Sequence, residues 1–593
     1  MASDRRRKIW AVVLCGTLCA AFAATAWKAV GGKSATADEP GHAAVGWLML
    51  WRHDYRLWQN NPPLWEYWIA LPVGPDAIRF DPASELYRNI QPGPVRPFWT
   101  RIDTPRLIQG GRFMCLVLAV GLGLIIAVWA WELGGLVPAV AATFLYCLDP
   151  NFLGHAALIK NDVAFALFYC ATAYALWRAG RNLTGPAALL IALLTAIGFE
   201  VKYSGPLLAV MVILTLGARA LSAQPWMILG RPAGHRGRKL AAAAVTCLLA
   251  AVMSYLFMWM SYGFRFDGGP DGLRLSMRPI MQSLGVYALN HQLGRNPSRD
   301  ELAEWTPPLA TRAVLFAEEH HLVPQAWAAG LIFTQMGDQG EQEAYLLGDH
   351  YHGGKWYYFP MAAIFKEPLA TISAALLSLA IAARAAPRAL RSWENRWNAI
   401  ALSIPAGVYA LALITSEMNI GFRHAFPLLP FVFIAVGLAV GTLWEFQSGR
   451  MMSLILATAL LVETAAAFPD FIAFFNAACS GDRLRLLSDS NLDWGQDLPL
   501  LAAWQSAHAD IPLYLDYFGP SAPGDYHIRC VDVSGTLPPA PRGPGVLAVS
   551  ATFLQLHRYN GAALEALGVS PDQQPDQILG GTIYLFQTRT TAH

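Results

Sequence analysis

Charge is scarce in this chain. Asp, Glu, Lys and Arg make up 14% of its 593 residues, against roughly 25% in soluble globular domains. Long apolar runs alternate with polar stretches, which excludes an ordinary soluble fold in favour of a polytopic membrane protein. A basic stripe is also missing: with a formal net charge of +2, nucleic acid is not a partner the composition supports. There is no Walker loop, and no GxGxxG follows a strand and opens a helix. GxSxG and HExxH are lacking too, which removes the hydrolase elbow and the zinc-protease helix. No CxxC spacing occurs among the eight cysteines, so a thiolate zinc centre has little support. Cys15, Cys19, Cys115, Cys147, Cys170 and Cys247 lie in or beside apolar runs, where Cys acts as a small hydrophobe. Cys479 and Cys530 fall in the polar C-terminal region and are candidates to pair if that region is exported. No internal repeat of about 20–50 residues is visible.

What the chain has in abundance is apolar sequence, 55% of the total, together with 21 Trp, a residue that favours the membrane–water boundary. The first apolar run, residues 9–29, follows Arg5, Arg6, Arg7 and Lys8. It is longer than the roughly 7–15 residues of a signal-peptide core, so it reads as a retained first span. Further spans are expected near 112–131, 135–148, 162–178, 185–200, 204–220, 240–261, 367–385, 398–416, 425–444 and 451–468, about eleven in all, the third being short for a crossing. Arg178 and Arg181, then Arg231, Arg236, Arg238 and Lys239, then Arg384, Arg388, Arg391 and Arg396 fall in alternate loops. The positive-inside rule puts these loops and the N-terminus in the cytoplasm. Residues 30–108, 262–358 and 469–593 are then exported. The expected organisation is a membrane domain over 1–468 and a small C-terminal α/β domain over 469–593. In the latter, Ile511–Phe518, Gly545–Phe553 and Thr582–Gln587 read as strands and Leu498–His508 and Gly561–Leu567 as helices. The sequon Asn182-Leu183-Thr184 lies on the cytoplasmic side and is discarded.

The first exported segment carries Ala37-Asp38-Glu39-Pro40-Gly41-His42, then an apolar helix to about Trp51, then Arg52-His53-Asp54-Tyr55-Arg56 and Asn60-Asn61-Pro62-Pro63-Leu64. Pro40 suits the first position of a helix, so Asp38 and Glu39 flank its N-terminus. One reading is purely structural, since Thr36-x-x-Glu39 matches a capping box. The other makes Asp38 a general base, one helical turn from His42. A metal held by the same two side chains is a weaker third reading. Other ionisable candidates sit at exported ends of spans: Asp149, His155, Lys160, Asp162, Glu200, Lys202, Lys366, Glu367 and Arg423. Any one of these would be explained by snorkelling to the headgroups. The recurrence of Lys160, Lys202, Lys366 and Arg423 runs against the positive-inside rule and suggests a bound anion, a lipid phosphate.

These motifs in this order resemble the GT-C superfamily of membrane glycosyltransferases. The nearest match is its bacterial family 39 branch, relatives of protein O-mannosyltransferases and of the lipid A aminoarabinose transferase. The resemblance rests on Asp38-Glu39-Pro40-Gly41-His42, Asn61-Pro62-Pro63-Leu64 and the contexts of Asp162 and Lys202. It extends to Trp356-Tyr357-Tyr358-Phe359-Pro360 with Lys366, to Asn419–Pro430 around Arg423, and to Phe474-Phe475-Asn476 and Ser490–Leu498. It implies a multi-span GT-C-like fold in a bacterial inner membrane, with the C-terminal domain periplasmic, and a sugar donor carried on a polyprenyl phosphate. Transfer inverts the anomeric carbon, with Asp38 and Glu39 catalytic and Asp38 as the base. His42, Asp54, His155 and Asp162 would contact substrate, and Lys202, Lys366 and Arg423 the lipid phosphate. No metal or other cofactor is implied. Pro40-Gly41 and Asn60-Asn61 depart from the bulkier residues and the histidine of the eukaryotic enzymes, so a protein acceptor does not carry over; glycan, lipid and protein acceptors all stay open. Two alternatives belong to other classes. A lipid or sugar transporter would show related halves and mid-membrane binding residues, neither of which is visible. A non-catalytic scaffold would depend on its exported tail rather than on Asp38.

Overall fold

The computed structural model describes residues 2–57, 61–88, 99–102, 104–270, 273–336, 344–479, 481, 483–534, 544–556, 561–570 and 573–588. Within them the apolar runs are helices. Seven are long and apolar enough to cross a membrane: Arg5–Gly31, Thr104–Gly134, Asp162–Arg181, Arg236–Ser261, Leu369–Arg388, Trp393–Ile414 and Gln447–Ala467. Four shorter apolar helices are Leu136–Cys147, Gly185–Phe199, Pro206–Leu221 and Leu429–Leu443. Each of the eleven expected spans falls on one of these. The third, at 12 residues, is the shortest. Longer neighbours flank it on several sides, the N-terminal helix and Thr104–Gly134 among them, so its length is set by packing as well as by a bilayer. The chain is a polytopic helical membrane protein.

Asp162–Arg181 is the most buried of the seven long helices, and its two ends carry opposite chemistry. At the C-terminal end, Gly180 lets the Trp397 indole lie directly on the backbone; a Cβ there would fall 1.9 Å from the ring. The Gly180 carbonyl accepts from Arg219 Nε at 2.6 Å, Trp226 Nε1 donates to Ala179 O at 2.8 Å, and Arg181 pairs with Glu394 at 2.9 Å. Basic residues expected to be cytoplasmic therefore gather at this end. Asp162 lies at the other.

The C-terminal segment builds a five-stranded mixed sheet in the order Gln577–Leu579, Ile583–Thr588, Gly545–Ser550, Leu513–Asp516, Val531–Asp532. The three expected strands and both expected helices are present, with Leu498–Ala507 and Gly561–Ala566 as the helices. Side chains alternate across a sheet, and here both faces are buried. Leu513, Leu515, Val546, Ala548, Ile583 and Leu585 pack with Leu498 and Leu501 into a core of their own. Tyr514, Leu547, Val549, Tyr584 and Phe586 join the large core that also holds the apolar helices. Phe471, Ile472, Ala473 and Phe475 belong to that large core as well, so this segment is packed onto the helical body rather than tethered to it. All eight cysteines are free thiols, Cys479 and Cys530 among them.

Candidate active site

A cavity of about 710 Å³ opens where the C-terminal segment meets the helical body. Its lining divides by origin. Leu207, Tyr409, Ala412 and Leu413 come from the helices Pro206–Leu221 and Trp393–Ile414 and are mainly apolar. Asp38, Asn61, Lys160, Asn161 and Lys202 come from the connections between helices, Arg423 and His424 from the short 3-10 helix Phe422–Ala425, and Ser488, Asp489, Trp494, Phe518 and Thr552 from the C-terminal segment.

Asp38 sits at the N-cap of the helix Glu39–Arg52, with Pro40 in its first turn. The next residue points the other way. Glu39 is fully buried and its carboxylate accepts from Arg112 Nε at 2.8 Å and from the amides of Thr36 and Ile159 at 2.9 and 3.1 Å. The Glu half of the expected capping box is therefore made, but with Asp38 rather than Thr36 at the cap. Asp38 turns to the cavity and pairs with Lys160 Nζ at 2.7 Å. Burial pushes its carboxyl up, but Lys160, Arg423 and His42 more than offset this and hold it at about 2.

His42 stands behind this pair. Its Nδ1 lies 2.9 Å from Glu66 Oε1 and its Nε2 3.5 Å from Lys160 Nζ. The ring thus stands between the Glu66 carboxylate and the Lys160 ammonium, with Asn61 Nδ2 3.4 Å from Nδ1. Gly46 makes the arrangement possible: a Cβ there would sit 2.6 Å from the Glu66 carbonyl, so only glycine lets the helices Glu39–Arg52 and Pro63–Ala70 meet closely enough to bring Glu66 to His42.

Across the cavity, Asp162 organises the other cations. Lys202 Nζ donates to its Oδ1, Arg423 lies 3.3 Å from its Oδ2 and His424 Nδ1 3.9 Å from Oδ1. Burial lowers the Lys202 ammonium, with Asp162 opposing. Burial together with Lys202 and Arg423 holds His424 well below its usual range, so it is neutral. The Arg423 guanidinium rests 4.5 Å over the Trp494 ring and donates from Nε to Ser490 Oγ at 3.0 Å. Asn161 Nδ2 donates to Asn61 Oδ1 at 2.5 Å and to Val201 O at 2.9 Å, tying the Asp38 side to the Lys202 side.

The structure thus brings Asp38, Lys202 and Arg423 to one cavity, with Asp162 and His42 directly behind them. His155 is buried against the rings of Phe426 and Trp494, behind the lining of the cavity; burial, Arg423 and Lys366 lower it to about 3. Glu39, Asp54 and Lys366 do not line the cavity. Asp54 accepts from Arg56 Nε at 3.0 Å and NH2 at 2.9 Å, and Arg56 goes on to the carbonyls of Tyr87 and Arg88. The Lys366 ammonium donates to the carbonyls of Ile472, Phe474 and Asn491 at 2.9, 2.5 and 2.6 Å, which uses its three donors on the chain itself. Asn60 lies outside the described residues. Sequence reasoning had no role for Asp489, Trp494, Phe518 or Thr552. The run Ser490–Leu498 held the one available signal, a Trp amid Asp, Asn and Gln with no helical or strand period.

No family model matches the chain, and no curated protein does. Solved structures are similar to it. The apo Archaeoglobus fulgidus oligosaccharyltransferase aligns over 86% of this chain and 62% of its own length, with 13% identity and a TM-score of 0.41. ArnT from Cupriavidus metallidurans aligns over 98% of both chains in its apo state, with 12% identity and a TM-score of 0.32. The same enzyme bound to undecaprenyl phosphate gives 13% and 0.30 over the same shares. The chain thus spans about three fifths of the archaeal enzyme and nearly all of ArnT. What the site does is decided by its own side chains.

Proposed function

We propose that the cavity is the active site of a membrane glycosyltransferase. It takes a sugar from a polyprenyl-phosphate-linked donor and passes it, with inversion, to an acceptor hydroxyl on the exported face. The observation that carries this reading is the grouping of the Asp38 carboxylate with Lys160, Lys202 and Arg423 around a single cavity whose helix-derived wall is mainly apolar. A polyprenyl chain fits the wall of Leu207, Ala412 and Leu413, and its phosphate fits the cations. The acceptor oxygen attacks the anomeric carbon while the bond from that carbon to the phosphate oxygen breaks. The acceptor proton goes to Asp38, and the bonding pair leaves with the phosphate, whose charge rises by one. Lys202 and Arg423, already fixed by Asp162, stabilise that charge as it develops. A phosphate needs no general acid, so one carboxylate in the base position suffices.

Lys160 gives the resting state a lock. A carboxylate held at about 2 is a weak base. A donor phosphate competes for the Lys160 ammonium, and as the ammonium turns towards it Asp38 becomes more basic only when the donor is present. In this reading Glu39 and Arg112 position the Asp38 cap, Asp54 and Lys366 hold the surrounding chain, and the exported face is the one carrying residues 469–593, with the N-terminus cytoplasmic.

Purified protein in nanodiscs, given a panel of polyprenyl-phosphate sugars and a cell-envelope acceptor extract, should release polyprenyl phosphate in a donor-dependent way. Asp38→Asn should abolish release while remaining folded and membrane-inserted. Wild-type turnover by Asp38→Asn would sink the base assignment. Donor translocation without release of polyprenyl phosphate would instead identify a transporter.

A further inference from the structure

The cavity contains a second carboxylate, on the wall opposite the helices, that the transfer chemistry above does not use. Asp489 lines the cavity and sits at φ 54° in the left-handed region, a conformation that costs a residue with a Cβ and persists only where the surroundings enforce it. They do so here. Asp489 O accepts from the amides of Leu492 and Asp493 at 2.8 and 3.1 Å. Asn491 Oδ1 accepts from the Phe422 amide at 2.8 Å, and its Nδ2 donates to Tyr358 Oη at 3.1 Å. Ser490 Oγ accepts from Arg423 and donates to Ile420 O at 3.0 Å, and Lys366 holds the Asn491 carbonyl. The turn is therefore closed on itself at Asp489 and bolted to the helical body at the next two residues, Ser490 and Asn491. What this holds in place is the Asp489 side chain: one oxygen takes the Ser490 amide at 2.5 Å, and the carboxylate faces the same space as Asp38 and Arg423. Burial raises this carboxyl, with Arg423 opposing and Asp38 adding to the rise.

Resting on the glycosyl-transfer reading, we propose that Asp489 is a substrate-binding residue of the acceptor subsite, and that the acceptor group reaching Asp38 is an uncharged, polyhydroxylated one, a sugar residue. The wall around it has the matching chemistry. Asp489 accepts and Ser488 accepts or donates hydroxyl hydrogen bonds, Thr552 offers a hydroxyl oxygen whose proton goes to Asp493 O at 2.9 Å, and Phe518 offers an aromatic edge. Arg423 borders this wall through Ser490, while Lys160 and Lys202 lie towards Asp38 and Asp162. A phosphate held against this wall would meet the Asp489 carboxylate beside Arg423, whose guanidinium is already engaged by Asp162, Ser490 and Trp494, and the like charge disfavours it.

The strain at Asp489 makes the test sharp, because glycine removes the carboxylate and relaxes the backbone together. Cells lacking the chain are complemented with full-length wild type, Asp489→Gly or Asp489→Asn, and their envelope glycans and lipids are compared by mass spectrometry. The purified proteins are assayed for melting temperature and for binding of undecaprenyl phosphate. The expected result is a sugar added by wild type to an unphosphorylated saccharide residue. Both variants should lower that occupancy roughly ten- to a hundredfold, the loss expected for one charged hydrogen-bond acceptor. Asp489→Gly should melt at or above the wild-type temperature, and lipid-phosphate binding should stay unchanged in both. Wild-type occupancy from Asp489→Gly would reduce Asp489 to a turn residue and overturn the proposal. So would a phosphate on the modified residue, or loss of undecaprenyl phosphate binding in step with occupancy. Wild type that adds no sugar at all would remove the transfer reading itself, and this proposal with it.

Discussion

Asp38 and Glu39 are neighbours in sequence with opposite surroundings, and the difference makes them experimentally separable. Glu39 is an internal ion-pair partner, so Glu39→Ala strands the buried Arg112 guanidinium and should cost ~3–5 kcal/mol, read as a lowered melting temperature with activity lost in proportion to folded protein. Asp38→Asn removes no buried pair of that kind and should leave melting nearly unchanged while transfer falls by a factor of about 10²–10⁴, the range for loss of a general base. The pH dependence follows from the direction of the Asp38 shift. Its carboxyl is held at about 2 in the folded protein, so any stability it contributes is present above the ordinary carboxylate range and is lost only as pH falls through about 2. The acid limb of kcat/KM due to Asp38 should accordingly be absent between pH 8 and about 5. Lys160→Met removes the strongest partner holding the group down. It should move that limb up towards the ordinary range, and a pH–rate profile of the variant that stays flat would refute the coupling of the two residues.

At the scale of elements, the site depends on helix pairs that approach more closely than ordinary side chains allow. Gly46→Ala places a Cβ against the Glu66 backbone carbonyl, an atom that cannot rotate away. The expected cost is about 1–3 kcal/mol, visible in the melting temperature, with KM for the donor rising as His42 and Lys160 shift. A second inter-element device is the carboxyl pair of Asp149, which caps the short helix Pro150–His155, and Glu367, just before Leu369–Ala389. Burial raises both, Asp149 to about 6 although Glu367 opposes that rise, while Asp149 pushes Glu367 further up. A raised folded value means the stabilising proton is held fully below the unfolded range near 4 and is lost as pH climbs through about 6 and beyond. Melting temperature should therefore fall as pH rises across that window. Glu367→Gln, which keeps a donor in place without a titratable proton, should flatten the dependence; an unchanged slope would rule the pair out as its source.

For the whole molecule, the C-terminal segment is part of the site and of the core together. Lys33 pairs with Asp470 and with Asp497, the latter at 2.6 Å; Lys366 and Arg423 take acceptors from residues 472–491. Deleting residues 469–593 removes all of these partners and one wall of the cavity. The truncated protein should thus aggregate or be digested rapidly in limited proteolysis, rather than survive as an intact but inactive membrane body. Recovery of a monodisperse, protease-resistant truncation would show that the helices fold without the segment.

The spans, the gathering of basic residues at one end and three of the five strands of the C-terminal sheet were legible in the sequence; the short edge strands Val531–Asp532 and Gln577–Leu579 were not. Hydrophobic length and period, together with Arg and Lys placement, are local properties that water and lipid read in the same way whatever the chain does next. Asp38, Lys202 and Arg423 were legible as candidates for a related reason, since a charge at a span's edge stands out against an apolar background. Their roles were not. Whether a carboxylate faces a cavity, as Asp38 does, or a buried Arg112, as Glu39 does, depends on which distant residue the fold brings within about 3 Å. Lys366 matched the cationic pattern and became a clamp, because three carbonyls from a segment a hundred residues away met its ammonium. Asp489 and Trp494 sat in an aperiodic polar run with no charge anomaly to mark them, and only the docking of that run onto the helices made them a wall. The sequence by itself determined the spans and the stock of charged groups at their ends; tertiary packing alone decided which of those groups share a cavity, because that choice is made by long-range contacts that no local pattern encodes.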